Sequence, residues 1–399
     1  MKKYTVSITK IILFLIYIME FSNFYIGFFP QFQYIKYISI CIVAIYLFKN
    51  ASIFMRVEHI KLNGMLVLFA LAMFYPSILY MNNYERNPLL ATIVFWVIQA
   101  ETFLTMEVMC VNNKMGMVVQ YYYKLTLLWT LLTDILTIFL TSVFTTRAGN
   151  YLVGTKFTVS YLHLLLIALL MTKDRIVKRN KIISNSALFV TLIWSAFIII
   201  RVQCNTGLIG LVLLFIILAT PKKIKIGLCS PLLFTTTVLM STAFSIGYEA
   251  VLANPSIQHF ISYYLKRELT LTGRTYIYAM MPKILKGHYA IGYGYGTTYE
   301  VCRHFTGFAD TQNAILEWIV QLGVVGTIIL VVFFLCTFKK MKLCREDNLL
   351  KCMPLVGYIY SMVLLGTVEI TFDNLFFGTV AIVYGLVCYL IQEEITNYD

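Results

Sequence analysis

Long apolar stretches, each about the length of a membrane crossing, recur from one end of this chain to the other. A hydrocarbon core of roughly 30 Å takes about 20 helical residues to cross, so runs of that length bounded by charge, proline or asparagine predict spanning helices. Twelve such runs occur, over approximately 8–28, 32–48, 62–80, 89–111, 121–142, 157–172, 182–200, 204–220, 226–247, 313–338, 353–370 and 375–391. The first is too long for the apolar part of a secretory leader and has no small-residue cleavage site behind it, which predicts a retained span. The expected architecture is an all-α polytopic membrane protein, with residues 1–399 forming one helical domain and residues 248–312 a single long excursion from it.

Composition agrees: of 399 residues, 59% are hydrophobic and only 13% charged, where a soluble domain is about a quarter charged. The net charge of +13 takes its meaning from placement. Lys and Arg collect in cytoplasmic loops, so setting Lys2 and Lys3 inside also puts Lys49, Arg56, Lys61, Lys114, "KDRIVKRNK" (173–181), "PKKIK" (221–225) and "KKMKLCRE" (339–346) inside. Both termini are then cytoplasmic and the 248–312 excursion is extracytoplasmic, in the cytoplasmic membrane. Charge sorted this way argues for topology and against nucleic-acid binding; only the cations of the external loop are left over. The nine cysteines are an odd number, Cys204 and Cys302 alone fall near the outer surface, and no spacing resembles a zinc site. No metal or cofactor is expected.

Every backbone polar group must be satisfied within lipid, which confines irregular chemistry to faces and cavities and directs attention to the excursion. "PSIQHFISYYLKREL" (255–269) opens with a Pro-Ser helix start and suits a helix lying in the interface. A second short helix is expected from Thr272 or Gly273 to about Leu285, placing Arg274 in its first turn and Tyr278 one turn on. The chain then bends through "GYGYG" (292–296). This run has neither the G-x-G-x-x-G spacing of a dinucleotide site nor the Lys-Ser/Thr of a phosphate loop, and so predicts an irregular bend with positive φ angles.

Taken in order, Gly273-Arg274, Pro282, the alternating Gly292, Gly294 and Gly296, and "QNAILEWIVQLGVVG" (312–326) resemble the O-antigen polymerase and O-antigen ligase superfamily (Wzy-like) over about 60 residues. The resemblance implies a membrane-embedded C-class glycosyltransferase that uses sugars carried on undecaprenyl diphosphate, without metal or nucleotide sugar. It implies a polymerase of O-antigen, capsule or exopolysaccharide repeat units that passes the growing chain onto the next lipid-linked unit. Its partners would be undecaprenyl-diphosphate-linked sugars, membrane lipids, and a flippase and chain-length regulator of the same pathway. The family's loop arginine falls on Arg274 as a contact for the donor diphosphate, a task that suits a permanently charged, forked guanidinium.

The chain departs from the family pattern twice. Where the family has "S-R-x-G", "RVQCNTG" (201–207) puts Asn205 in place of the arginine, with Arg201 one turn earlier on the same face if the helix is continuous. Where many relatives have His-Asn, Gln312-Asn313 stands, and Gln cannot take a proton at neutral pH. Asp310 is the preferred substitute base, with Glu317, His304 and Glu300 also near in sequence. Arg267, Arg303, Lys266, Lys283 and Lys286 could complete an anion site, and Tyr278 is foremost among the external tyrosines that could hold sugar.

Three other functions stay open beside this one, among them a structural scaffold within an envelope complex, for which substitutions in the loop would be silent. A ligase would normally keep the histidine. A flippase or exporter would use the intramembrane Glu101, Glu107 and Asp134 and show two homologous halves, of which there is no sign. Glu369 and Asp373 flank an external turn, as wetted or helix-capping groups or as acceptor contacts. The sidedness is directly testable: alkaline phosphatase fused after Lys286 should be active and fused after Lys342 inactive, and the reverse pattern would invert the orientation.

Overall fold

The computed structural model describes residues 7–25, 27–140, 151–177, 181–247, 254–264 and 273–396, and these are helical almost throughout. In chain order the helices are α1 (Ile8–Glu20), α2 (Phe32–Phe48), α3 (Ile60–Leu79), α4 (Pro88–Val111), α5 (Met115–Phe139), α6 (Lys156–Val177), α7 (Lys181–Arg201), α8 (Asn205–Ala219) and α9 (Lys222–Leu228). They continue with α10 (Pro231–Ile246), α11 (Pro255–His259), α12 (Arg274–Ile284), α13 (Thr298–Thr306), α14 (Ala314–Met341), α15 (Glu346–Leu365) and α16 (Asn374–Thr396). Among the described residues, seven helices are long and apolar enough to cross a membrane, or eight if α8 and the short α9, bent by 118° from it, count as one span. This makes the chain an all-α polytopic membrane protein.

Burial sorts the bundle into an inside and a perimeter. α6, α15 and α16 lie at its centre, with about four-fifths of each apolar window buried (78%, 78% and 83%), against 17% for α7. The perimeter shows large apolar side chains outward: Ile38, Ile42 and Ile45 on α2, Phe189, Val190 and Ile193 on α7, Leu239 and Met240 on α10. Such a surface would aggregate in water, and lipid is the solvent that suits it. The centre instead interdigitates aromatics, with Phe69 stacked on Phe333 at 5.8 Å and Phe334 edge-on to Phe377 at 5.0 Å.

Irregular chain is concentrated at one end. The 255–269 segment forms α11 and then a wider π turn over Phe260–Tyr264, beyond which residues 265–272, with Lys266, Arg267 and Thr272, lie outside the described residues. α12 begins at Arg274 with Gly273 before it, as the sequence led one to expect.

The glycine run has a specific structural task. α14 is broken at Gly323, whose φ of 67° and ψ of −178° are not helical. In an unbroken helix the amides of Val324 and Val325 would bond the carbonyls of Val320 and Gln321. Here the 289–294 segment crosses the gap and takes both sides. Val324 N donates to Tyr289 O (2.8 Å) and Val325 N to Ala290 O (3.2 Å), while Tyr293 N donates to Val320 O (2.9 Å) and Gly294 N to Gln321 O (2.8 Å).

Two backbones can cross this closely only where neither carries a side chain. A Cβ on Gly323 would stand 2.2 Å from the Ala290 carbonyl, and one on Gly292 would stand 2.5 Å from the Gln321 backbone. Gly323→Ala therefore adds backbone strain of roughly 1–3 kcal/mol to an overlap with main chain that cannot yield. We expect it to lower the melting temperature of the purified protein by several degrees or abolish folded yield. Gly64→Ala, whose Cβ meets nothing within 4 Å, should be neutral to slightly stabilising.

Candidate functional site

The amides of the glycine run are spoken for. Beyond the helix-gap bonds, Tyr295 N donates to Ser77 Oγ at 3.1 Å and Gly296 N to Gln321 Oε1 at 2.9 Å. With these donors consumed and Phe95 stacked on Tyr295 at 4.6 Å, the run docks the excursion onto the bundle and offers no phosphate cradle. Gln321 carries the connection onward: its Nε2 donates to Glu317 Oε1 (3.0 Å), and Glu317 Oε2 accepts from the Thr311 hydroxyl (3.0 Å). Both Glu317 oxygens are thus engaged in holding the approach to α14.

The start of α14 is built by Asn313. Its Oδ1 accepts from Ile315 N at 3.0 Å and Leu316 N at 2.9 Å, closing two of the open amides of the first turn, and its Nδ2 donates to Thr367 O at 3.0 Å. Gln312, at φ 50°, turns the chain into the helix, and its amide is held by Asp310 Oδ1 at 2.9 Å. The Tyr278 hydroxyl, one turn into α12, reaches Gln312 O at 3.2 Å and Thr367 O at 3.3 Å. Ala314 N donates to Gly366 O at 2.8 Å. These bonds fasten α12, the head of α14 and the α15–α16 turn to one another.

That fastening brings Arg274 to Glu369. Arg274 Nη2 lies 2.8 Å from Glu369 Oε1, with the two side chains 14% and 12% exposed. The Thr206 hydroxyl, in the first turn of α8, donates to the same oxygen at 3.5 Å. Burial pushes the Glu369 carboxyl up to about 7; the Arg274 cation opposes this, the Asp310 charge adds to it, and Lys156 and Thr206 lower it. Burial likewise raises Asp310, against the pull of the Gln312 amide and of Arg274. One guanidinium therefore pairs with Glu369 and is felt at Asp310, at the meeting point of four chain segments.

The remaining expected residues are distributed unevenly. Asn205 opens α8 beside Thr206 but is exposed. The expected helix continuity between Arg201 and Asn205 is absent: α7 ends at Arg201, Gln203 turns the chain at φ 53°, and α8 starts afresh. Arg274 and Lys156 both lower the Glu369 carboxyl, and the charge of Arg201 is felt at Tyr151. Arg303 is exposed on α13 and donates to the Tyr299 hydroxyl at 2.7 Å, with Arg267 outside the described residues. Glu300 holds the amides of Glu85 and Arg86 at 2.9 and 3.0 Å. Cys204 and Cys302 are both buried free thiols.

Sequence reasoning passed over Lys156 and underrated Glu369, which is 9% exposed rather than wetted. The available signal for Glu369 was a carboxylate in a short turn between two apolar spans, on the side of the loop arginine. Asp373 caps α16, its Oδ1 accepting from Phe376 N at 3.2 Å, as one of the expected alternatives had it. Of the intramembrane carboxylates, Asp134 accepts from Trp194 Nε1 at 2.6 Å and contacts His163 Nε2 at 3.1 Å, and Glu107 accepts from Asn63 at 3.2 Å. The Glu101 oxygens have no hydrogen-bond partner among the described residues. Those residues also include no group of three or more His, Cys, Asp or Glu placed to hold a metal ion.

No protein-family model matches this chain, and no curated protein matches it.

The cap gives a measurable expectation. Asn313→Ala removes both amide contacts and the bond to Thr367, and should cost about 1–2 kcal/mol, read as a lower melting temperature in detergent. Asn313→Asp keeps the acceptor and loses only the donor, and should lie between the two.

Proposed function

We propose that this protein is a polymerase of undecaprenyl-diphosphate-linked oligosaccharide repeat units, a glycosyltransferase working at the outer face of the cytoplasmic membrane. In this reading twelve helices cross the membrane, α1–α8, α10 and α14–α16, with both termini cytoplasmic and residues 248–312 outside. The observation that carries it is the setting of Arg274. A guanidinium at the first position of a helix, mostly buried and braced from α12, α14 and the α15–α16 turn, is paired with a carboxyl group near neutrality. That pairing is exchangeable: a diphosphate offers more charge and a geometry the forked guanidinium matches better.

Arg274 would neutralise charge as the C1–O bond to the lipid diphosphate breaks, which is where a preorganised cation contributes most. Lys156 and the amide end of α8 add positive potential at the same place. Tyr278, Asn313 and Gln312 hold the pocket wall, so their contribution is to position the cation. The exposed Tyr276 and Tyr299 rings, 50% and 51% accessible, suit contact with sugar. The flippase reading draws less support, since Asp134 and Glu107 are tied into polar contacts between neighbouring helices.

The test is complementation of a deletion strain with Arg274→Ala and Arg274→Lys, scoring polysaccharide chain length at matched protein level. Both variants should leave single repeat units and no ladder, a loss of at least about 100-fold in extension. Normal-length chains from Arg274→Ala would overturn the proposal, and repeat units trapped inside the cell would favour export instead.

A further inference from the structure

We propose that Glu369 is the general base that takes the proton of the acceptor hydroxyl, and that it is freed for this when the donor's diphosphate displaces it from Arg274. The inference rests on the polymerase reading above and adds the residue which that reading lacks. A transferase needs the acceptor oxygen deprotonated as it attacks, and Gln312 cannot accept the proton.

The carboxylates around the head of α14 and the α15–α16 turn, with Glu300 beside them in sequence, differ in what holds them. Glu317 has both oxygens bonded within its own helix approach, Oε2 to the Thr311 amide as well as to its hydroxyl. Asp310 holds the Gln312 amide, Asp373 caps α16, and Glu300 anchors two backbone amides of another loop. Removing any of these from its contacts would unfasten main chain. Glu369 differs: its hydrogen-bond partners are two side chains, Arg274 and Thr206, and both contacts fall on Oε1. It can change partners without disturbing a helix end or a turn.

Its surroundings also make the exchange productive. Arg274 holds Glu369 at 2.8 Å, so cation and base neutralise each other. A diphosphate arriving on Arg274 removes the attraction and sets a new anion beside the carboxylate, with Asp310 already close. Each change strengthens Glu369 as a proton acceptor from a starting point of about 7. Donor binding thereby switches on the group that activates the acceptor.

The step balances as follows. The acceptor O–H bond breaks and its proton goes to Glu369. The acceptor oxygen forms a bond to C1 of the donor sugar. The C1–O bond to the lipid diphosphate breaks, and undecaprenyl diphosphate leaves with the electron pair, held by Arg274. The proton on Glu369 returns to solvent when the leaving group departs and the ion pair re-forms.

The experiment uses the full-length protein with two readouts: binding of undecaprenyl diphosphate to protein in nanodiscs, and ladder synthesis by cells suspended at external pH 5.5 to 8.5. Glu369→Gln removes the base without changing side-chain shape. It should bind undecaprenyl diphosphate at least as tightly as wild type, because Arg274 no longer has an anionic competitor, while extension falls by about 100-fold or more. Wild-type extension should rise with pH through an inflection at or above about 7, where a carboxylate is formed, and Glu369→Asp should retain partial extension with the inflection moved.

Extension by Glu369→Gln within about threefold of wild type would overturn the proposal. So would a parallel loss of binding and extension, which would make Glu369 only a brace for Arg274. Failure of the polymerase reading itself looks different: Arg274→Ala would build normal ladders whatever Glu369 does.

Discussion

A polypeptide in lipid has no water to fall back on, so a helix broken inside the bundle must have its loose amides and carbonyls repaired by other protein groups. The break at Gly323 and its repair by the 289–294 segment are that constraint made concrete, with four backbone bonds exchanged between a helix and a loop. Everything at the candidate site follows from the crossing. It anchors the end of the excursion to α14, leads through Gln321 and Glu317 to Thr311, and so sets where α14 begins. The helix start in turn holds the α15–α16 turn through Asn313, and that turn carries Glu369.

The ion pair at the site is not a strong source of stability. A buried ion pair between Arg274 and Glu369 recovers little net energy, because desolvating two charges offsets most of their attraction. What the pair shows is its geometry: a guanidinium oriented at the head of α12 against a carboxyl group that burial has raised to about 7. Thr206 and Lys156 approach from α8 and α6, helices distant in sequence from the loop, so the bundle as well as the excursion contributes to the site.

The polar groups within the bundle tell a complementary story. Asp134, His163, Ser195 and Trp194 join α5, α6 and α7 in one buried contact set, and His59, Tyr384, Glu107 and Asn63 join α3, α16 and α4 at the other end of the molecule. In lipid such contacts fasten helices that hydrophobic packing alone holds only weakly. Glu101, with no such partner, stands apart from both sets.

Much was already determined by the sequence. The membrane class, the length and order of most helices, the helix start at Arg274 and the bend after Leu285 are consequences of local pattern, because apolar length, charge and glycine act over a few residues. That Asp373 could cap a helix was legible for the same reason; the cap that Asn313 makes was not among the expectations. Tertiary structure alone decided what those residues meet. Glu369 lies 95 positions from Arg274, and nothing local in either segment states their pairing. Gln203 breaks the helical path that would have placed Arg201 one turn from Asn205, and Lys156, whose Nζ donates to the Gln203 carbonyl, is a cation whose charge reaches Glu369. The glycines, conspicuous in the sequence, found their purpose only in the gap at Gly323, since two backbones must be brought together before the absence of a side chain matters.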